Sequence, residues 1–241
     1  MSGDRAVRAV LFDVDGTLYH AGALRRRVML ALLRLPLSGP RRARRTIHYL
    51  RCYRHALEQV RYRTPDAAGV VTQHLLLAAE LAGAPPEAVR VEVEEWMLRR
   101  PLRYLRRCRR AGLVEFLDML RHNGIPAGVF SDYPVADKLD ALGILDRAAL
   151  CLSAGDPEIN AFKPDPRGFL HACDRWGLQP AQVLYVGDRP ELDAVGATAA
   201  GMPCAIIGNA APAAAGGPSY IPVSGFAELA RVLERLSGAE V

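Results

Sequence analysis

Helix and strand signals alternate regularly from Gly112 to the C-terminus, and this limits the sequence to a small set of folds. A helix to about His122 precedes a strand from Pro126 to Phe130, a helix over 135–142, a short strand near Ala149 to Leu152 and a helix over 166–176. The series continues with strand Val183 to Val186, helix 191–200, strand Pro203 to Ile207, an extended piece from Tyr220 to Val223 and a helix over 225–236. Such alternation predicts an α/β fold with a parallel sheet covered on both faces. Ala6 to Phe12, AVRAVLF, reads as a further buried strand that delivers two carboxylates, Asp13 and Asp15, into a turn at Gly16.

Between that strand and the alternating half the signals are helical throughout. Pieces at 21–35, 40–63, 66–82 and 86–99 are separated by Pro36-Leu-Ser-Gly-Pro40, Thr64-Pro65 and Gly83-Ala-Pro-Pro86, with Asp66 and Pro86 suited to helix starts. The first strand therefore joins the sheet of the C-terminal half, with a helical segment inserted after it. The expected organisation is a core of residues 1–20 and 111–241 and an Arg-rich helical cap of residues 21–110. Charge follows the same division. Between residues 20 and 110 there are 20 arginines, no lysine and 7 acids, whereas the remainder holds 11 basic and 19 acidic residues. The chain has only two lysines, Lys138 and Lys163, among 31 basic residues, so each is worth a look.

Several function classes are excluded at this level. With 241 residues, half of them hydrophobic, the chain can build a substantial core. Its apolar runs, Val28 to Leu35 and Leu75 to Ala82, fall short of the roughly 20 residues of a membrane-spanning helix. Met1 to Arg8 shows no export signal, so a soluble cytoplasmic protein is expected. The five cysteines are scattered and form no C-x-x-C pair, which points to buried thiols and away from disulfides or a zinc site. Asn209 to Ser219, rich in Ala, Gly and Pro, reads as a mobile loop.

In an open parallel sheet the loops at the carboxyl ends of the strands converge on one crevice. Four polar groups lie at such places: Asp13 to Thr17, Ser131 with Asp132, Asp188 after Gly187, and Lys163 ahead of the 166–176 helix. Asp13 and Asp15, two apart in extended chain, share one side, and with Asp188 they form an oxygen-donor set suited to Mg²⁺. Lys163 supplies the opposing charge. Its neighbour Pro164 favours an extended conformation, and Asp165-Pro166 suits a helix start. Mg²⁺, a lysine, a hydroxyl and a spare carboxylate suit phosphoryl transfer, in which an aspartate can be the nucleophile.

Leu11-Phe-Asp-Val-Asp-Gly-Thr-Leu18, Val129-Phe-Ser131, Lys163-Pro-Asp165 and Val186-Gly-Asp-Arg-Pro-Glu-Leu-Asp193 resemble the four ordered motifs of the haloacid dehalogenase-like (HAD) hydrolase superfamily. The helical insert resembles that of its helical-cap subgroup, which includes phosphoglycolate phosphatase-like enzymes. The resemblance implies a Rossmann-like, doubly wound core with an inserted helical cap. It also implies that Asp13 attacks phosphorus and binds Mg²⁺, and that Asp15 protonates the leaving oxygen, activates water and lends its backbone carbonyl to the metal. Ser131 and Lys163 would hold the phosphoryl group, Asp188 would complete the protein ligands, and Asp193 would orient metal-bound water or Lys163. One position departs from the family pattern: Asp132 stands where many relatives carry Asn, and a carboxylate there repels phosphate unless it points away or pairs with a cation.

The expected activity is a Mg²⁺-dependent phosphatase acting on a small phosphorylated metabolite. The alternatives are a sugar-phosphate mutase on the same core and a non-catalytic polyanion-binding protein with a basic cap. Asp15 argues against dehalogenation, since halide leaves without a proton, and a cap without lysine argues against Schiff-base phosphonate cleavage. The basic cap also raises a phosphorylated lipid or an anionic membrane surface as a partner. Nucleic acid is disfavoured, because the nucleophile, acid, lysine and metal positions are all filled. Lys138 reads as a solvated surface lysine whose replacement would do little, the six histidines show no ligand spacing, and Trp96 reads as packing.

Overall fold

A computed structural model describes residues 6–33, 39–64, 66–208, 213 and 216–237. Most of the expected loop at Asn209 to Ser219, part of the 36–40 linker and the first five residues lie outside the described residues.

The chain enters through β1 (Ala9–Phe12) and continues into a helical insert of α1 (Ala21–Leu33), α2 (Pro40–Val60), α3 (Val70–Ala82), α4 (Pro86–Val93) and α5 (Arg100–Cys108). It then runs through α6 (Leu113–His122), β2 (Ala127–Ser131), α7 (Ala136–Leu142), β3 (Leu150–Ser153), α8 (Arg167–Trp176) and β4 (Val183–Gly187). It ends with α9 (Val195–Ala200), β5 (Cys204–Ile207), β6 (Ile221–Val223) and α10 (Phe226–Ser237). The chain forms two compact units, Met1–His20 with Arg109–Val241, and Ala21–Cys108.

The first unit contains a six-stranded sheet in the order β3-β2-β1-β4-β5-β6, parallel at every pairing. Every residue of β1, β2, β4 and β5 is buried, which is why these segments read as unbroken apolar runs. Successive residues serve opposite faces. Ala9 and Leu11 join Phe130, Phe169 and Tyr185 in one core, against α8 and α9. Phe12 meets Phe116 of α6 and Phe226 of α10, with ring centroids 6.1 and 6.4 Å away. Helices thus flank both faces of the sheet.

In the helical unit α2 packs on α3, and α1 on α5. Helical structure does not stop near residue 99. A wider turn over Glu94–Arg99 leads directly into α5. Pro101 has no amide to donate one turn back, and the widened stretch lies immediately before it. Trp96 is buried in this stretch, with the Arg100 guanidinium 4.1 Å from its ring. α3 starts at Val70 rather than 66, because the Asp66 carboxylate accepts from the Ala68 amide at 2.8 Å and closes a turn of its own. Three of the five free cysteines are buried, but Cys151 is exposed, contrary to the expectation of buried thiols. Among the described residues no helix is long and apolar enough to cross a membrane.

Candidate active site

β1 lies between β2 and β4, so the loops leaving these three strands share one edge of the sheet, where the strand order reverses direction. Asp13 follows β1 directly, and its amide still donates to Val186 O at 2.8 Å. Its buried carboxylate accepts from Lys163 Nζ at 2.6 Å on Oδ1 and from Thr17 Oγ1 at 3.0 Å on Oδ2. Lys163 Nζ also donates to Asp193 Oδ1 at 2.8 Å and to the Tyr185 hydroxyl at 3.2 Å. Asp193 is saturated: Tyr185 OH donates to Oδ1 at 3.0 Å, and the amides of Asp188 and Arg189 donate to Oδ2 at 3.1 and 2.9 Å.

Asp188 lies beside this group, and its buried Oδ1 has no hydrogen-bond partner. One carboxylate oxygen from each of Asp13, Asp188 and Asp193 falls within 4.8 Å of the others. Three carboxylates face one ammonium, so the cluster carries more negative than positive charge. Burial, then the neighbouring Asp193, push the Asp188 carboxyl up to about 6. Burial also raises Asp13 above the carboxylate range, against the pull of Lys163. Burial disfavours the Lys163 ammonium, but Asp13 and Asp193 outweigh it and hold the amine well above the lysine range. An orphaned carboxylate oxygen in an all-oxygen, electron-rich cluster fits a hard divalent cation such as Mg²⁺, with Asp13 and Asp188 retaining free acceptor capacity.

Asp15 stands apart from that cluster. Its Oδ2 accepts from Lys138 Nζ at 2.5 Å, with Ser131 Oγ at 3.5 Å, and its Oδ1 accepts from the Tyr19 hydroxyl. Burial opposes its charge, yet Lys138 and Tyr19 hold the carboxyl below its usual range. Lys138 is therefore not the solvated lysine expected from the sequence. It is buried, because α7 returns its first turn to the end of β1. Asp132 accepts the Lys163 backbone amide at 3.0 Å, so this departure from the family pattern joins the β2 loop to the segment bearing the lysine. The Arg110 guanidinium donates to Gly16 O at 3.2 and 2.8 Å.

All six sequence candidates, Asp13, Asp15, Ser131, Lys163, Asp188 and Asp193, gather at this edge. Sequence reasoning assigned no role to Thr17, Tyr19, Lys138 or Tyr185. The scarcity of lysine was the one signal pointing to Lys138, and the tyrosine in the otherwise aliphatic Val183 to Val186 run pointed to Tyr185.

A family model described as haloacid dehalogenase-like hydrolase matches residues 7–201. Phosphoglycolate phosphatase of Shigella boydii serotype 4 is 30% identical over 212 residues, covering 82% of this chain and 79% of the relative. Glyceraldehyde 3-phosphate phosphatase of Methanopyrus kandleri is 30% identical over 204 residues, covering 81% and 82%. Among solved structures, a 2-haloacid dehalogenase from Pseudomonas syringae superposes with a TM-score of 0.67 at 24% identity, over 95% of this chain and 99% of that one. A HAD phosphatase from Thermococcus onnurineus gives 0.60 at 24% identity, over 94% and 98%.

Proposed function

The chain belongs to the haloacid dehalogenase-like hydrolase family, and from that membership we propose that it is a Mg²⁺-dependent phosphatase acting on a small phosphomonoester through an aspartyl-phosphate on Asp13. The observation that carries this reading is Asp13 Oδ1 held 2.6 Å from Lys163 Nζ in a buried group of carboxylates whose Asp188 Oδ1 lacks a partner. The names of the Shigella and Methanopyrus relatives, phosphatases of phosphoglycolate and of glyceraldehyde 3-phosphate, support the substrate class.

In this mechanism an Asp13 carboxylate oxygen forms a bond to phosphorus as the ester P–O bond breaks. The departing alcohol oxygen keeps the electron pair and takes a proton from Asp15. Water then attacks phosphorus and gives a proton to Asp15, and the bond to Asp13 breaks to release phosphate and the free carboxylate. Asp15 is held in its ionised range when the site is free. An incoming phosphate dianion disfavours a second anion beside it and so raises the proton affinity of Asp15. Lys163 and Ser131 hold the phosphoryl oxygens, and Lys163 restrains Asp13. Asp13, Asp188 and the backbone carbonyl of Asp15 would hold Mg²⁺, which when bound would supply charge neutralisation at the transferring group. Asp193 fixes the direction of the Lys163 amine. The same reading takes residues 1–20 and 111–241 as the catalytic core and assigns substrate choice to a cap of residues 21–110.

Dehalogenases share the fold, but a departing halide needs no proton. The hydrogen-bonded Asp15 therefore favours an oxygen leaving group. A Mg²⁺-supplemented phosphate-release screen over phosphorylated metabolites tests the reading. Release from at least one small monoester is expected, with Asp13→Asn lowering it by roughly 10³-fold or more. No release across the panel, or undiminished turnover in the variant, overturns it.

A further inference from the structure

Among the described residues, the candidate cation cluster takes in Asp13, Asp188 and Asp193 but not Asp15. The Asp15 carboxylate is instead gripped on both oxygens by groups outside the four motifs, Lys138 on Oδ2 and Tyr19 on Oδ1. Lys138 reaches it from α7, 123 residues away in the chain, with its side chain only 9% exposed and Nζ 5.2 Å from the Tyr133 ring. Burying an ammonium is unfavourable unless it is paired. This chain otherwise uses arginine almost everywhere, and its two lysines sit one on each aspartate of the first loop, Lys163 on Asp13 and Lys138 on Asp15. The residue type fits the task. With Tyr19 occupying Oδ1, Asp15 offers a place for a compact single donor, whereas the planar fork of arginine is shaped to span both oxygens.

We propose that Lys138 is a positioning residue for Asp15: it fixes the carboxyl group on the leaving-group side of Asp13, so that proton delivery is aimed at the departing oxygen. It touches Asp15 rather than substrate. The proposal rests on the phosphatase reading and makes a demand that general structural support does not. The benefit of a well-placed Asp15 depends on how much the leaving oxygen needs a proton. An alkoxide needs one. A p-nitrophenolate leaves without one near neutral pH.

The test measures kcat/KM, which reports the phosphoryl-transfer step, for an alkyl phosphomonoester taken from the phosphate-release screen and for p-nitrophenyl phosphate. Lys138→Met is expected to lower the value for the alkyl ester by roughly tenfold or more beyond any loss on p-nitrophenyl phosphate, within the range that a placed acid contributes. Lys138→Arg, which keeps the charge but brings a fork where a compact single donor fits, is expected to restore the ratio of the two substrates only in part. Should Lys138→Met fail to fold, Tyr19→Phe releases the other oxygen of Asp15 and carries the same expectation. Equal losses on both substrates, or no loss on either, overturn the assignment. The two readings fail separately. Wild-type enzyme that hydrolyses neither ester defeats the phosphatase reading, whereas active wild type with a uniform loss in Lys138→Met defeats only the role given to Lys138.

Discussion

Two glycines set how closely the acidic groups approach. Gly16 has φ +102°, and a Cβ there would lie 2.0 Å from Asp188 Oδ2. Gly187 faces the Asp193 side chain, where a Cβ would lie 2.3 Å from Cγ. Gly16→Ala therefore displaces Asp188 or the turn bearing Asp15, and a shift of that size is expected to lower kcat/KM about 100-fold. Kinetics beside circular dichroism would check this, and near-wild-type turnover would contradict the close approach. Tyr185 bridges Lys163 and Asp193, so Tyr185→Phe should reduce stability by about 1 kcal/mol in denaturant titrations. Asp13, Asp15, Ser131 and Asp188 were legible in the sequence because each stands at or just past the end of an apolar strand-like run and so falls on one edge of a parallel sheet, whereas Lys163 and Asp193 lie off the strand ends and were found through the motif pattern. Lys138 was not, because helical periodicity gives the helix without the partner, and its pairing with Asp15 is set by how α7 docks.

At the scale of elements, the sheet face opposite the one bearing Leu11 is closed by aromatic packing among β1, α6 and α10. Phe226 stacks on Phe116 at 5.5 Å between centroids and approaches Phe12 at 6.4 Å. Phe226→Ala is expected to cost about 3–5 kcal/mol, read as a lower unfolding midpoint. A change below about 1 kcal/mol would show that α10 contributes little to this core. Strands β2 to β6 were readable to within a residue, most plainly β2, β4 and β5, where burial on both faces leaves an unbroken apolar run, whereas β1 begins at Ala9 rather than Ala6. Helix limits were less so. The insert stays helical past residue 99 into α5 despite Pro101, because a locally widened turn absorbs the missing amide, and composition carries no sign of that. The late start of α3 depends on Asp66 bonding to a nearby amide rather than capping a helix, a choice between two local geometries open to the same residue.

At the scale of the whole molecule, stability is linked to the charge of the cluster. The Asp188 carboxyl, pushed up to about 6 by burial and Asp193, binds its proton more tightly folded than unfolded. Its contribution to the metal-free protein is therefore lost as pH rises from about 4 through about 6 and is level above that. Relative to Asp188→Asn, the wild type should lose unfolding free energy across this window. A cation held by this cluster would require the ionised form, so saturating Mg²⁺ should remove the trend and stabilise the wild type by about 2.7 kcal/mol at a concentration 100 times its Kd. A chelator should reverse the gain. Identical pH profiles for the two proteins would contradict a proton held more tightly on Asp188 in the folded state, and no Mg²⁺-dependent shift in wild type would contradict Mg²⁺ binding at this cluster.

In the proposed mechanism phosphate passes through a covalent bond to Asp13. Wild-type enzyme mixed with a ³²P-labelled monoester identified by the phosphate-release screen, quenched in acid during the first turnover and digested, should yield label on the peptide containing Asp13. The same treatment of Asp13→Asn should yield none. Phosphate release without protein-bound label, under conditions that preserve acyl phosphates, or label on a different residue, would rule out Asp13 as the nucleophile.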